Sequence, residues 1–459
     1  MAFLATRRYT VTAGKVTVKS FFIILGLGLL LRLPFISYPS EVVFDEVGFG
    51  KMVTAYGWTG ERLFDIHPPH GKLLITAAAY LGGYTGGIDF TKIGNPCVES
   101  IAPLRFLPAL AGSLIPVIVF ILLCQLGASL AAAFLGGLFM AFDNAFVVQS
   151  RLTGLDTLLV LFILSSLSAL LAARNRSGKS RIAFMLLSGI LTGLAAGTKF
   201  TGLAAAGLTV VILSDDLIRE KTARLRWTGL VHAALLFAAA GAIYLLGWKI
   251  HFQLMTFPGE GDAFFKPTGN FIPDMIHLHR IMFSANAGIM TPHPYSSYWW
   301  QWLVMKKPIF YWVNQNAGIY FIGNPVVWWG AGLGFFWLLG YLIFARARNP
   351  GQTLWVGRSP MLWIPLAGYL ISIIPLVPIQ RPLFLYHYLP ALSFSLIAAI
   401  LWIDLLGFTK IGSLRRQRFS YYAAIGCCVG VFFLLSPVTY GLPPLSPYQS
   451  LLGWIGFGP

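Results

Sequence analysis

Phe44-Asp45-Glu46-Val47-Gly48-Phe49-Gly50 places two adjacent carboxylates just beyond the first long apolar run of a hydrophobic chain. Some fourteen residues later comes Phe64-Asp65-Ile66-His67-Pro68-Pro69-His70-Gly71-Lys72. Polar chemistry concentrated where a chain leaves an apolar run points to an active-site loop at a membrane face. The alternative is a merely solvated loop.

The surrounding composition decides between fold classes. Of 459 residues, 57% are hydrophobic and 11% charged, and the mean hydropathy is +0.72. Soluble domains carry about 25% charged residues. Continuous apolar runs of membrane-crossing length specify an all-α polytopic membrane protein, whereas a barrel needs short segments of alternating polarity. The expected spans lie near 20–37, 102–126, 128–147, 157–173, 182–199, 201–214, 228–248, 318–344, 360–379, 386–407 and 420–440. That makes about 11 transmembrane helices in one domain covering 1–459. Two stretches are too polar to span, 38–100 and 249–316. The first includes a short amphipathic helix at Gly71–Tyr84, and the Pro- and Gly-rich C-terminal end reads as irregular. The first apolar run lacks an Ala-x-Ala cleavage site, so it reads as a retained helix.

The net charge of +17 is a topology signal rather than a nucleic-acid footprint. With a cytoplasmic N-terminus, alternate loops gather Arg7, Arg8, Lys15, Lys19; Arg174, Arg176, Lys179, Arg181; Arg219, Lys221, Arg224, Arg226; Arg346, Arg348, Arg358; and Lys410, Arg415, Arg416, Arg418. These are 19 of the 33 Lys and Arg residues. The opposite side is nearly neutral, and the positive-inside rule places it outside. Both long loops, Asp45 and the C-terminus are therefore expected to face outward.

The outer helix ends collect Arg32, Asp45, Glu46, Asp65, Arg105, Asp143, Arg151, Asp156, Lys199, Arg381 and His387. Cations there suit an anion, most simply a phosphate, and carboxylates suit base catalysis or hydroxyl binding. Simpler readings stand beside these. Asp156 can pair structurally with Arg151. The aromatic residues at 295–312 and Trp328-Trp329 read as an interfacial belt rather than a sugar platform. His67 and His70 are separated by Pro68-Pro69, which does not give zinc-helix spacing, so no metal is expected. The four cysteines show no disulfide or metal pattern.

Several stretches, in chain order, resemble the protein O-mannosyltransferases of the GT-C superfamily. They are Phe44-Asp45-Glu46-Val47, Phe64-Asp65-Ile66-His67-Pro68-Pro69, Arg105-x-x-Pro, Asp143-Asn144 with Gln149-Ser150-Arg151 and Asp156, Lys199-Phe-Thr-Gly, Gly323-Asn324-Pro325 with Trp328-Trp329, and Arg381-Pro with His387. The resemblance implies a GT-C fold with eleven helices. It implies inverting transfer of mannose from a polyprenyl- or dolichyl-phosphate mannose to Ser or Thr hydroxyls of exported proteins, without metal or other cofactor. Asp45 then receives the hydroxyl proton, with Glu46 as its partner at the acceptor site. Arg105, Arg381 and His387, with Lys199 and Arg151, are expected at the donor phosphate. Asp65 and His67, with Arg32 and Asp156, are expected to shape the loops. The 249–316 loop is too short for the β-trefoil insert of eukaryotic members, so the chain resembles a short bacterial-type member in a plasma membrane. Other readings are a GT-C transferase moving another sugar to lipid or cell-wall glycan, and a transporter. A transporter would normally show an internal repeat with broken helices in both halves, and no such repeat is present.

Overall fold

A computed structural model of the chain describes residues 15–219, 222–348, 362–408, 415–443, 446–448 and 450. The basic N-terminal tail, the first residues of the segment expected at 360–379, the inner positions Lys221, Arg358 and Lys410, and most of the C-terminal end lie outside them.

The first long polar stretch, called outer after its expected side, follows α1 (Lys15–Arg32) and carries α2 (Glu46–Thr54), a π-helical turn at Ala55–Thr59, and α3 (His70–Leu81). Then come α4 (Ala102–Gln125), α5 (Leu130–Ala141), α6 (Asn144–Ser150), α7 (Asp156–Arg174), α8 (Gly178–Thr198), α9 (Leu203–Arg219) and α10 (Ala223–Leu254). The second outer stretch holds α11 (Phe271–Ala287), α12 (Trp299–Trp302) and an antiparallel hairpin of β1 (Ile309–Asn314) and β2 (Ala317–Phe321). The last helices are α13 (Pro325–Arg348), α14 (Trp363–Ile373), α15 (Leu389–Leu405) and α16 (Arg415–Tyr440).

Among the described residues, eight helices are long and apolar enough to cross a membrane, and nine spans result if the bent pair α5–α6 counts as one. Of the eleven expected segments, two fall short by this measure. α1 carries Lys15, Lys19 and Arg32, and the segment Trp363–Leu376 is short. The chain is an integral, multi-pass membrane protein.

Burial separates core from periphery. The apolar windows of α7 and α15 are 83% buried and that of α4 is 67% buried, whereas that of α10 is 17% buried. A helix apolar all round and exposed in this way belongs against lipid. α7 packs on both α4 and α8, and α15 on α13.

The structure changes three expectations. The segment at 128–147 is two helices bent by 56° at Phe142–Asp143. Asp143 breaks the run because its carboxylate caps α6, accepting from the Phe146 N–H at 3.0 Å. The segment at 318–344 begins seven residues later, since Ile319, Tyr320 and Phe321 pair with β1. β-Branched and aromatic residues on both sides of Asn314–Ala317 favour that hairpin, so the chain is not wholly α-helical. α10 continues to Leu254, shortening the second outer stretch.

Candidate functional site

The opening stretch becomes a turn leading into α2. Phe44 sits in the left-handed region at φ 45°, costly for an aromatic residue. Its ring stacks on Tyr311 of β1, with centroids 4.0 Å apart and planes within 9°. Asp45 is the residue before the helix, yet its carboxylate makes no capping bond. Among the described residues the half-buried carboxyl has no hydrogen-bond or ion-pair partner and is unspent. Burial pushes it up to about 7, the Lys199 ammonium opposes that rise, and Asp156 and Asp65 add to it. A carboxylate of that basicity suits a general base near neutral pH.

The strip 64–72 folds back on itself. Asp65 accepts from the His67 N–H at 3.1 Å and forms an ion pair with the buried Lys72, which also donates to the His67 carbonyl at 2.8 Å. Burial alone would raise the Asp65 carboxyl, but Lys72 and His67 outweigh it and hold it below the usual range. Burial takes His67 down to about 3, against the pull of Asp65, with Lys199, Lys72 and Arg381 adding to the drop, so its imidazole is neutral. His70 does not join it. Its ring is clasped between Gly197 and Gly247, where any Cβ would stand 2.2 Å from the imidazole, and its Nε2 meets the Ile243 carbonyl at 2.9 Å. Among the described residues no three His, Cys, Asp or Glu side chains gather as a metal site.

A cavity of about 560 Å³ opens beside this strip. Its polar lining includes His67, Lys199, Arg381 and His387, and its apolar lining includes Phe200, Phe283, Leu376 and Ile379. Lys199 follows the end of α8, donates to Asp156 Oδ1 at 2.7 Å and lies 5.3 Å from the centre of the Tyr386 ring. Arg381 makes no hydrogen bond or ion pair among the described residues, which leaves its guanidinium for a ligand. The His387 ring stacks on Tyr386 at 4.6 Å. Two cations and two imidazoles lining a cavity with an apolar wall can hold a phosphate carrying a hydrocarbon tail.

Several expected site residues are engaged by the protein itself. Glu46 is fully buried and paired with Arg105, its oxygens 2.7 and 2.8 Å from the Arg105 Nε and Nη2. It also accepts from the Val43 and Thr153 N–H groups, both at 2.8 Å. Arg105 spends its remaining donors on the carbonyls of Ile36, Pro39 and Glu41. Neither is free for acceptor or phosphate, because a guanidinium has five N–H donors and all are engaged. Arg151 donates to the carbonyls of Arg32, Pro34 and Phe35 rather than to a ligand. Arg32 is buried against the Gly28, Met140 and Ala141 carbonyls. Asp156 pairs with Lys199, not with Arg151. Trp328 belongs to no interfacial belt: it is fully buried, and its Nε1–H donates to Asp143 at 2.9 Å.

Sequence reasoning passed over four residues of this region: Lys72, which pairs with Asp65, Gln149, which donates to Asp156, and Tyr311 and Tyr386, which flank Phe44. Lys72 and Gln149 lay inside recognised motifs without a role, and Tyr386 stands beside His387. Nothing local in the sequence marked Tyr311 as lying under Phe44.

The fold can now be set against known ones. It matches a chain of the Saccharomyces cerevisiae protein O-mannosyltransferase Pmt1-Pmt2 complex, solved bound to the sugar donor, with TM-score 0.88, 18% identity and coverage of 96% of this chain and 92% of that one. It also matches ArnT from Cupriavidus metallidurans, solved bound to undecaprenyl phosphate, with TM-score 0.52, 16% identity and coverage of 95% and 71%. At such identities the likeness is one of fold, and the fold is that of the GT-C class.

Sequence narrows the class. The profile described as dolichyl-phosphate-mannose-protein mannosyltransferase matches residues 22–256, and that of the C-terminal four-helix region of protein-O-mannosyltransferase matches 271–456. The chain belongs to the protein O-mannosyltransferase family. Among its relatives is dolichyl-phosphate-mannose–protein mannosyltransferase 1 of S. cerevisiae, 30% identical over 249 residues, which are 52% of this chain and 30% of that protein. The chain thus spans about a third of the length of the curated relatives it matches.

Proposed function

We propose that the chain is an inverting glycosyltransferase. It moves mannose from a polyprenyl- or dolichyl-phosphate mannose to Ser or Thr hydroxyls of exported proteins, at the outer face of a bacterial plasma membrane. The observation that carries this reading is the unspent Asp45 carboxylate beside Lys199, itself on the wall of a cavity with free cationic and apolar lining.

In this reading the prenyl tail leaves the cavity along Phe200, Phe283, Leu376 and Ile379. The donor phosphate rests against Lys199 and Arg381, with neutral His67 and with His387 as further polar contacts. Asp45 accepts the hydroxyl proton as the oxygen attacks the anomeric carbon from the face opposite the phosphate. The bond to phosphate oxygen breaks as the new glycosidic bond forms, which inverts the centre. The leaving group is already a weak base, so it needs no acid. Fixed cations absorb its charge, and that makes the transfer metal-free in this proposal.

The test is transfer from a panel of polyprenyl-phosphate sugars to a Ser/Thr peptide, read by mass spectrometry. Hexose on peptide hydroxyls from the mannose donor is the expected product. Label appearing only on lipid or glycan, or only from another sugar, would overturn the substrate assignment.

A further inference from the structure

The transfer site is enclosed by a ring of contacts that closes on itself. Lys199 donates to Asp156 Oδ1 at 2.7 Å, and the Gln149 Nε2 donates to Asp156 Oδ2 at 2.8 Å. The Tyr311 hydroxyl donates to Gln149 Oε1 at 2.5 Å. Tyr311 stacks under Phe44, Phe44 meets Tyr386 edge-on at 6.3 Å, and Tyr386 receives the Lys199 ammonium over its face. Asp45 is the next residue after Phe44. The ring therefore ties the carboxylate that would take the proton to the cation that would hold the phosphate.

We infer that Gln149 is a positioning residue for the transfer, its amide fixed at both ends so that the Asp45 turn and the Lys199 ammonium keep one spacing. This inference rests on the reading given under Proposed function. An amide does this job without charge and with fixed direction: its oxygen can only accept, so the phenol must donate to it, and its nitrogen can only donate, so it must turn to the carboxylate. Gln149, Tyr311 and Asp156 are almost wholly buried. Water cannot replace a missing partner, and a cut at any link leaves polar groups stranded. Gln149 itself is anchored by α6, whose start is capped by Asp143. The Phe44 ring lies on Tyr311, so a drifting phenol moves the left-handed turn that aims Asp45.

The test compares Tyr311→Phe, Gln149→Met and the double variant in the full-length enzyme. Initial rates are taken across donor and peptide concentrations. Polyprenyl-phosphate binding and thermal melting in detergent are the folding controls. Tyr311→Phe keeps the stacked ring and removes only the hydroxyl. Each single variant should lose about 10- to 100-fold in kcat, the scale of an ångström-level misplacement, while the donor KM stays within about threefold. The double variant should be no worse than Gln149→Met, since both cut the same link. Wild-type kcat in Tyr311→Phe, losses that multiply in the double variant, or a change confined to KM would overturn the inference and leave the function standing. Failure of the wild-type protein to transfer mannose at all would overturn both.

Discussion

Asp45 and Glu46 are adjacent in sequence and opposite in use. Glu46 accepts from Arg105 and from two backbone N–H groups in a fully buried setting, whereas the Asp45 carboxylate is unspent. Removing one partner of a buried pair strands the other, at about 3–5 kcal/mol. Arg105→Ala should therefore fail as a stability variant, with a sharply lower melting temperature or no folded protein in detergent. Arg381→Ala should melt like wild type and raise the donor KM; an unchanged donor dependence would remove Arg381 from the phosphate site. Asp45 also carries a stability signature. Its folded pKa of about 7 lies above the ordinary 3.8, so the folded protein holds that proton more tightly than the unfolded chain does. Stability is then lost as pH rises from about 4, and the loss is complete above about 7. Asp45→Asn removes that loss and should melt higher than wild type at alkaline pH, with the difference vanishing in acid. The sequence marked Asp45 because a carboxylate at a helix exit is legible as such. It could not separate the pair's two jobs, since Arg105 lies 59 residues from Glu46 along the chain and reaches it only through the packing of α4.

At the level of elements, the two outer stretches lock together. Arg62 pairs with Asp262 through Nε at 2.6 Å and Nη2 at 3.0 Å, Gly261 N–H donates to the Arg62 carbonyl at 2.9 Å, and Phe64 stacks on Phe264. A Cβ on Gly259 or Gly261 would meet the Arg62 or Leu63 backbone within 2.5–2.7 Å, so the approach requires glycine at both. Arg62→Ala should loosen residues 255–267, read as faster amide exchange there; unchanged exchange would show that the glycines and aromatic stack suffice. The bend between α5 and α6 rests on Asp143, which serves the Phe146 and Asn324 N–H groups and the Trp328 indole. Asp143→Ala leaves three buried donors unpaired and should cost about 3 kcal/mol or more, measured by melting in detergent. The apolar helices were legible, because apolar runs of this length have few other uses, whereas α2 and α11 in the polar stretches were not. Nor were the bend and the hairpin. Hydropathy reports which residues avoid water, and does not report that a carboxylate capping a new helix interrupts the run, or that Ile309–Phe321 buries its rings as a strand pair.

Across the whole molecule, we read the excess of Lys and Arg as a topology signal rather than the mark of a polyanionic partner. In the proposed orientation Asp45, the cavity and both outer stretches share one face, where a lipid-linked sugar would arrive already activated. Cysteines introduced singly at exposed positions of the first outer stretch, such as Thr91, should react in intact cells with a reagent that cannot cross the membrane, and labelling only after lysis would reverse the orientation. The proposed transfer chemistry reduces to one carboxylate acting as base under a phosphate held by fixed cations. That claim meets its most direct test in the pH dependence of mannose transfer from polyprenyl-phosphate mannose to a Ser/Thr peptide, for the wild-type protein and Asp45→Asn side by side. The wild-type rate should climb with pH through about 7 and then level off, and Asp45→Asn should lie about 10²- to 10⁴-fold lower throughout. Turnover by Asp45→Asn at the wild-type rate, or the same acid limb in both proteins, would contradict it.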